Sequence, residues 1–182
     1  MTMDILEIQE YLENRYPFLM IDSILEGEAG KYMVARKNLS INEWYFVGHF
    51  PDNPLMPGAL QLEAMFNTAA LCVMTMPNMK GKKSVISRIS NAVFHTSALP
   101  GDVLSVRADL LSYKRGVGEC KASISCESKC ISQVDLTLAP HLKAQSPKCL
   151  ARVPHLQFAL FHLAPNALCY IYFLPLSSKK CI

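Results

Sequence analysis

The spacing of hydrophobic positions changes several times in the first third of the chain, and each spacing predicts a different element. Apolar residues recur at helical intervals over 3–12, which predicts a short amphipathic helix. The apolar run 18–21 predicts a buried strand, and residues 31–38 predict a second strand after a glycine-containing turn. A loop rich in proline and glycine then extends from Gly48 to Gly58.

The segment 59–76 is apolar over nearly its whole length. Thirteen of its 18 residues are apolar, it contains no glycine or proline, and Pro77 follows it. A helix that is apolar on nearly all sides is surrounded by protein. Polar side chains within two turns, such as Gln61 and Asn67, argue against contact with lipid.

The chain beyond residue 82 is predicted to form β-strands. Residues 84–94 are rich in strand-forming types, apolar and polar residues alternate over 104–110 and 122–126, and 131–138 is predicted as a final strand, with turn residues at 100–102 and 114–116. One buried helix followed by such a meander predicts an α+β fold, in which an antiparallel sheet wraps around the long central helix.

The composition excludes several classes of protein. Of 182 residues, 51% are hydrophobic and 18% are charged, which allows a real core and argues against disorder. The formal net charge of +3 is too small to indicate a nucleic-acid partner. The acidic N-terminal residues do not resemble a signal peptide, so we expect a cytoplasmic protein. The seven cysteines lack metal-ligand spacing, and no metal site is expected.

Charge divides the chain into two parts. All 15 acidic residues lie at or before Asp135, whereas the residues after it include five Lys and Arg and no acid. We therefore expect one domain over 1–139 and an atypical extension over 140–182 that is poorly ordered or weakly docked. A membrane span is not favoured there, because Pro165 and Asn166 interrupt the uncharged run.

Two titratable residues flank the loop from Gly48 to Gly58. Three prolines and two glycines make this loop stiff, and His49 is its second residue. Glu63 is the only formal charge in the apolar segment, and burial is expected to raise its pKa and keep it protonated. Gly58 offers a free backbone N–H at the positive end of the helix. A base, a neutral acid and an oxyanion donor can together remove a proton beside a carbonyl and expel a β-hydroxyl.

Both titratable residues also admit a structural interpretation. A single histidine is commonly structural, and Glu63 could form a salt bridge with a buried arginine. Their placement on either side of one Pro/Gly loop and helix start favours the catalytic interpretation.

Six motifs occur in this order along the chain: Arg15–Leu19 with Ile21–Asp22, Lys37–Asn38 with Asn42–Glu43, Gly48–Pro51, Pro54–Gly58, Glu63–Met65 and Pro100–Asp102. In these motifs the chain resembles the 3-hydroxyacyl-[acyl-carrier-protein] dehydratases of fatty acid synthesis, which have the hotdog fold. The resemblance spans about residues 5–138, and the separation of His49 from Glu63 is part of its most specific block.

The resemblance implies a reaction and a role for each central residue. The reaction is the dehydration of 3-hydroxyacyl thioesters to trans-2-enoyl thioesters in fatty acid biosynthesis. His49 is implied to be the base that takes the C2 proton, and Glu63 to protonate or position the departing hydroxyl. The N–H of Gly58 is implied to polarise the thioester carbonyl.

The resemblance also implies self-association. In this family His and Glu of one site come from different subunits, so that a dimer is the minimal active unit and a trimer of dimers is often formed. The acyl chain is implied to lie in an apolar tunnel at the dimer interface. The candidate tunnel residues are Phe50, Pro57, Phe66 and Asn67.

An acidic acyl carrier protein is the partner that the resemblance implies. It would dock on basic surface near the mouth of the site, for which Lys82, Lys83 and Arg88 are candidates. No metal or redox cofactor is implied, because the phosphopantetheine arm belongs to the carrier.

Several residues depart from the family pattern. Asp52 stands where the family usually has Gly, and we expect it to tolerate the turn and to add charge beside His49. Phe66 and Asn67 replace Ala and Gln in the helix, and Phe66 is expected to shorten or reshape the tunnel. Glu13–Asn14 precedes Arg15 in place of a Pro-His pair.

Two other functions stay open on the sequence. A hotdog-fold acyl thioesterase is one, although no nucleophile lies in the motifs and the His–Glu arrangement suits elimination better than hydrolysis. A non-catalytic homologue that binds acyl carriers is the other.

Overall fold

The computed structural model describes residues 1–140, so that the predicted extension lies outside the described residues except for Pro140. Its elements pack into a single sheet with one long helix. The helices are α1 (Ile5–Tyr11), a 3-10 helix (Trp44–Val47) and α2 (Gly58–Met74), and the strands are β1 (Ser23–Glu28), β2 (Tyr32–Asn38), β3 (Ser84–Phe94), β4 (Val103–Lys114), β5 (Val117–Cys126) and β6 (Lys129–Pro140).

The predicted N-terminal helix is confirmed as α1, and its start has a simple chemical cause. The Asp4 carboxylate accepts hydrogen bonds from the N–H groups of Leu6 and Glu7, at 2.8 and 2.9 Å. The Glu7 side chain accepts from the N–H of Asp4 in return, at 2.8 Å. This capping box satisfies the free N–H groups that begin a helix.

The strand predicted over 18–21 is wrong. These residues form a turn and an extended connection, and the first strand begins at Ser23. Phe18 is 58% exposed, whereas Met20 and Ile21 are buried. The N–H of Met20 donates to the side chain of Asn67 rather than to a neighbouring strand. Met20 and Ile21 are therefore buried although they do not pair with a neighbouring strand.

The six strands form one antiparallel sheet in the order β1-β2-β4-β5-β6-β3. The predicted hairpin between β4 and β5 is confirmed, and its two-residue turn is Arg115–Gly116, with φ of +53° and +88°. Such left-handed backbone matches the twist of the adjoining strands. The chain leaves α2 and enters β3 at one edge of the sheet, where β3 pairs only with β6 among the described strands.

The sheet wraps around α2, as the apolar pattern predicts. Most of the helix is buried from Ala64 to Met74, and alternating residues of β4, such as Leu104 and Val106, face it. The predicted α+β hotdog fold is therefore confirmed. Across residues 1–140, no helix combines the length and hydropathy that a membrane span requires.

An ionic cluster connects the sheet to the loop that precedes α2. The ammonium of Lys37, on β2, lies 2.5 Å from Glu43 Oε1 and 3.4 Å from Asp22 Oδ1, and its side chain is 8% exposed. Asp22 also accepts from the N–H of Asn38 at 2.6 Å. These contacts join Lys37 on β2 to Asp22, just before β1, and to Glu43, just before the 3-10 helix.

Candidate active site

His49 is held by its own loop. Its N–H donates to the carbonyl of Tyr45 at 2.9 Å, and its carbonyl accepts from the N–H of Leu55 at 2.8 Å. Its ring Nδ1 lies 2.9 Å from the carbonyl oxygen of Leu55. Because a carbonyl oxygen can only accept, Nδ1 carries a hydrogen, and in the neutral ring the other nitrogen, Nε2, is the one that can accept a proton. This orientation is the one that a base acting through Nε2 requires.

The loop closes on a tight turn beside this imidazole. Phe50 and Asn53 exchange two backbone hydrogen bonds of 3.1 Å each, which leaves Pro51 and Asp52 at the tip. Asp52 is exposed and its φ is not positive, so that the turn tolerates this departure from the family pattern. The expected influence of its charge on His49 stays a prediction. The ring of Phe50 stacks on that of His49, with centroids 4.3 Å apart.

Gly58 begins α2 without any side-chain cap. The preceding Pro57 is the N-cap and accepts from the N–H groups of Leu60 and Gln61. A methyl group on Gly58 would lie 3.0 Å from the ring of Phe94, so that the glycine lets the end of β3 approach the helix start. A cavity of about 440 Å³ opens here, lined in part by Leu55, Gly58 and Phe94.

Glu63 is half-buried and hydrogen-bonded through one oxygen. Its Oε1 accepts from Asn67 Nδ2 at 2.9 Å and from Asn14 Nδ2 at 3.2 Å. Burial raises the pKa of this carboxyl, and the hydrogen bond from Asn67 opposes that rise. No ion pair within residues 1–140 includes Glu63, so the structural alternative of a salt bridge to arginine is wrong for this part of the chain.

A second cavity, of about 260 Å³, lies beside Asn14, which donates to this carboxyl. Asn14 lines it together with Phe66, Ala70 and Met74. These three helix residues follow Glu63 at intervals of three, seven and eleven positions, which places all four on one face of α2. This face therefore leads from Glu63 toward the cavity, which we call the acid-side cavity.

Gly58 and Glu63 lie on different sides of α2. Because each residue turns a helix by about 100°, Glu63 lies about 140° round α2 from Gly58. Leu55 and Gly58 line one cavity and Asn14 and Phe66 line the other, and these two cavities share no residue. His49 contacts Leu55, which lines the first cavity together with Gly58, whereas Glu63 contacts Asn14, which lines the second. We call these two groups of residues the half-sites.

The predicted carrier-docking residues are at the surface but are not equivalent. Lys83 forms an ion pair with Glu13 at the rim of the acid-side cavity, and Lys82 lies on the same rim. Arg88 is exposed on β3. Docking of a carrier there stays a prediction.

Asn14 is the contact that sequence reasoning did not assign. Asn14 was notable only as a replacement in the first motif, and nothing in the sequence spacing connects it to Glu63, 49 positions away.

Within residues 1–140, no three His, Cys, Asp or Glu side chains converge as a metal site would require.

The comparisons agree on one family. The model of FabA-like domains matches residues 12–135. The 3-hydroxyacyl-[acyl-carrier-protein] dehydratase FabZ of Ruminiclostridium cellulolyticum is 41% identical over 133 residues, which cover 73% of this chain and 94% of the relative. The dehydratase of the same name from Enterococcus faecalis is 38% identical over 137 residues, covering 75% and 97%.

A solved structure agrees at the level of the fold. The dehydratase heterocomplex ApeI:P from Xenorhabdus doucetiae superposes with a TM-score of 0.62 at 13% identity, covering 79% of this chain and 96% of that chain. With the family model and the two relatives, these matches assign this chain to the FabA-like family, among its FabZ-type 3-hydroxyacyl-[acyl-carrier-protein] dehydratases.

Proposed function

We propose that this chain is a hydro-lyase that converts carrier-bound 3-hydroxyacyl thioesters to trans-2-enoyl thioesters in fatty acid biosynthesis, with His49 as base and Glu63 as acid. Family membership supports the reaction, and the geometry of the two half-sites supports the roles. The unprotonated Nε2 of His49 takes the C2 proton, and the carbon's electron pair forms the C2=C3 bond. The C3 hydroxyl takes the Glu63 proton and departs as water.

The thioester carbonyl needs a donor during this step, because negative charge develops on its oxygen as the C2 proton leaves. The uncapped start of α2 supplies N–H groups at the positive end of the helix dipole. We assign the N–H of Gly58 to this oxygen. Phe50 and Pro57 flank this half-site and are proposed to bound the first carbons of the substrate.

The edge strand β3 supports a dimer that unites the two half-sites. It is 11 residues long, and Val85, Ile89 and Val93 on it are each at least 40% exposed. A long apolar edge with unpaired backbone groups is a ready template for pairing with another chain. We propose that two copies pair antiparallel along β3, with a trimer of such dimers as the larger assembly.

The ends of β3 are the observation that carries this proposal. Val85, at the start of the strand, lines the acid-side cavity, and Phe94, at its end, lines the cavity of Gly58. Antiparallel pairing sets the start of one copy's strand beside the end of the other's. The acid-side cavity of one copy then adjoins the His49 half-site of the second copy.

The acyl chain would continue from C3 along the face of α2 into the acid-side cavity. Phe66 lines this cavity one turn from Glu63, where its ring would narrow the route of the acyl chain. Asn67 is directed at Glu63 and holds the acid rather than the chain. We therefore propose a preference for short or medium acyl chains, delivered by an acyl carrier protein that docks near Lys82, Lys83 and Arg88 in the cytoplasm.

An enoyl thioester assay tests the reaction. Purified protein is mixed with a trans-2-enoyl thioester of the carrier, and both the conjugated absorbance and free thiol are followed. Loss of absorbance without thiol release is the expected result. Thiol release would instead indicate the thioesterase, and no change with retained carrier binding would indicate the non-catalytic homologue.

A further inference from the structure

We infer that Asn14 is a positioning residue that, together with Asn67, determines which oxygen of Glu63 carries the proton. The inference rests on the proposed function, in which Glu63 is the acid. It adds a residue outside the central motifs, on the segment that follows α1. Asn14 touches Glu63 and acts through it.

Both amides donate to the same carboxyl oxygen. Asn67 Nδ2 and Asn14 Nδ2 lie 2.9 and 3.2 Å from Oε1, and no other donor within residues 1–140 contacts either oxygen. A protonated carboxyl has one carbonyl oxygen that accepts well and one hydroxyl oxygen that donates. Two N–H donors on Oε1 therefore make it the carbonyl oxygen, and the proton is placed on Oε2.

The orientation of the Asn67 amide is fixed independently. Its Oδ1 accepts from the N–H of Met20 at 2.9 Å, and the residue is fully buried. If the amide were reversed, its Nδ2 group would face the N–H of Met20 and its Oδ1 would face the Glu63 oxygen. Neither pair could form a hydrogen bond, and buried groups without hydrogen bonds are costly. The Nδ2 group must therefore face the carboxyl.

The position of Asn14 is fixed by its neighbour. The Arg15 guanidinium donates through Nη1 to the carbonyls of Leu12 and Asn14, at 2.7 and 2.8 Å, and through Nη2 to that of Gln9, at 3.1 Å. These bonds cap the end of α1 and hold the backbone of Asn14 in place. The Arg15 of the first motif thus supports the acid without touching it.

The arrangement serves both states of the acid. Before the reaction, the Oε2 hydroxyl is free of protein contacts in the described residues and can donate to the C3 hydroxyl. As the C3–O bond breaks, its electron pair stays on that oxygen, which takes the Oε2 proton and leaves as water. The Glu63 carboxylate that remains is stabilised by the two N–H groups on Oε1. The proton held by His49 returns to Glu63 through solvent.

Replacing Asn14 by Ala and by Asp tests the inference. The Ala variant loses one donor, and kcat is expected to fall about tenfold with KM unchanged, as for a lost hydrogen bond to a charged state. The Asp variant has the same shape but presents an acceptor, which draws the Glu63 proton toward Oε1. Its kcat is expected to fall about 100-fold or more.

The pH profile separates positioning from a merely structural role. In the dehydration direction, followed with a carrier-bound 3-hydroxyacyl thioester, turnover requires protonated Glu63, so kcat falls as pH rises through the pKa of Glu63 in the complex. Asn14 stabilises the carboxylate, so its loss is expected to raise that pKa and move the alkaline limb to higher pH. Glu13, Lys82 and Lys83, the charged side chains of the acid-side cavity, are unchanged in every variant.

Gln9→Ala is the matched control, because it removes an amide from α1 that makes no side-chain hydrogen bond in the described residues. Its kcat and pH profile are expected to match those of the unaltered protein.

If Asn14→Ala does not fold, Asn14→Ser replaces it, and the same loss of kcat is expected because the serine hydroxyl is too short to reach Glu63 Oε1. Equal rates for the Ala and Asp variants, or an alkaline limb that does not move, overturn the inference. Absence of turnover in the unaltered protein overturns the proposed function instead.

Discussion

Asn67 and Glu63 stand one turn apart on α2, and the Nδ2 of Asn67 donates to Glu63 Oε1 at 2.9 Å. Asparagine is one methylene shorter than the glutamine usual in this family, yet it reaches the carboxyl. Its carbonyl end simultaneously accepts from the N–H of Met20. Glu63 is therefore connected through one buried amide to the segment that leads into β1.

Replacing Glu63 by Gln should remove activity but not stability. Burial raises the pKa of Glu63 above the ordinary value that a glutamate has in the unfolded chain, so the folded state binds the proton more tightly than the unfolded state does. The stability of the unaltered protein therefore declines as pH rises from about that unfolded value through the folded pKa. Glutamine cannot ionise, so Glu63→Gln should escape this decline. Urea unfolding across pH should show the variant gaining relative stability as pH rises; a constant difference would contradict the origin assigned to the shift.

Removing the imidazole should abolish turnover while the fold survives. His49 is half-buried in a loop whose shape is set by backbone hydrogen bonds, not by the ring alone. We expect His49→Ala to lower kcat by about 10²–10⁴, the usual contribution of a general base. Enoyl thioester hydration and circular dichroism measure the two effects, and near-full activity would remove His49 from the mechanism.

Widening the acid-side cavity should change chain-length preference. Phe66 lines this cavity and is only 6% exposed, so Phe66→Ala is expected to cost about 3 kcal/mol of stability while opening the path. The ratio of kcat/KM for long over short acyl chains should rise about tenfold, since each methylene that enters apolar surroundings is worth about 0.8 kcal/mol.

Leu71→Ala is the control for this change. Leu71 is fully buried on another face of α2 and does not line the cavity, so its truncation should destabilise the fold comparably without altering preference. Phe66→Leu provides a milder second variant. Equal preference in the Phe66 and Leu71 variants would contradict the assigned path.

The Lys37 cluster should matter for stability. Lys37→Met leaves the carboxylates of Asp22 and Glu43 facing each other without their shared cation, and about 2–3 kcal/mol of unfolding free energy should be lost. Urea unfolding measures this loss. Lys121→Met, at an exposed position of β5 without an ion pair in the described residues, should change stability by less than about 0.5 kcal/mol. Equal losses would mean that the cluster carries no special weight.

The elements that the sequence predicts well are those set by local chemistry. The long apolar run forced α2 into the interior, and Arg115–Gly116 defined a hairpin because a two-residue turn needs positive φ. The sequence also predicts the loop around His49, because its prolines and glycines are typical of a stiff loop. These features depend on neighbours within a few positions.

The features that the sequence did not predict depend on distant contacts. The hydrophobicity of residues 18–21 predicts a strand, yet the N–H of Met20 donates to the side chain of Asn67, 47 positions away. Asn14 reaches Glu63 only because α1 ends against α2, which no spacing encodes. The proposed union of two half-sites depends on the edge of β3 that has no partner strand among the described residues, which is a property of the folded sheet.

The most direct test of a site shared between two copies is complementation by mixed subunits. His49→Ala and Glu63→Gln proteins, each inactive alone, are dissociated, mixed in equal amounts and reassociated. Half of the reassociated dimers are then mixed, and each mixed dimer holds one site with both residues intact. We expect about a quarter of the unaltered activity to return. If both residues act within one chain, no mixed dimer has an intact site, and a preparation that stays inactive despite confirmed subunit exchange would contradict the account.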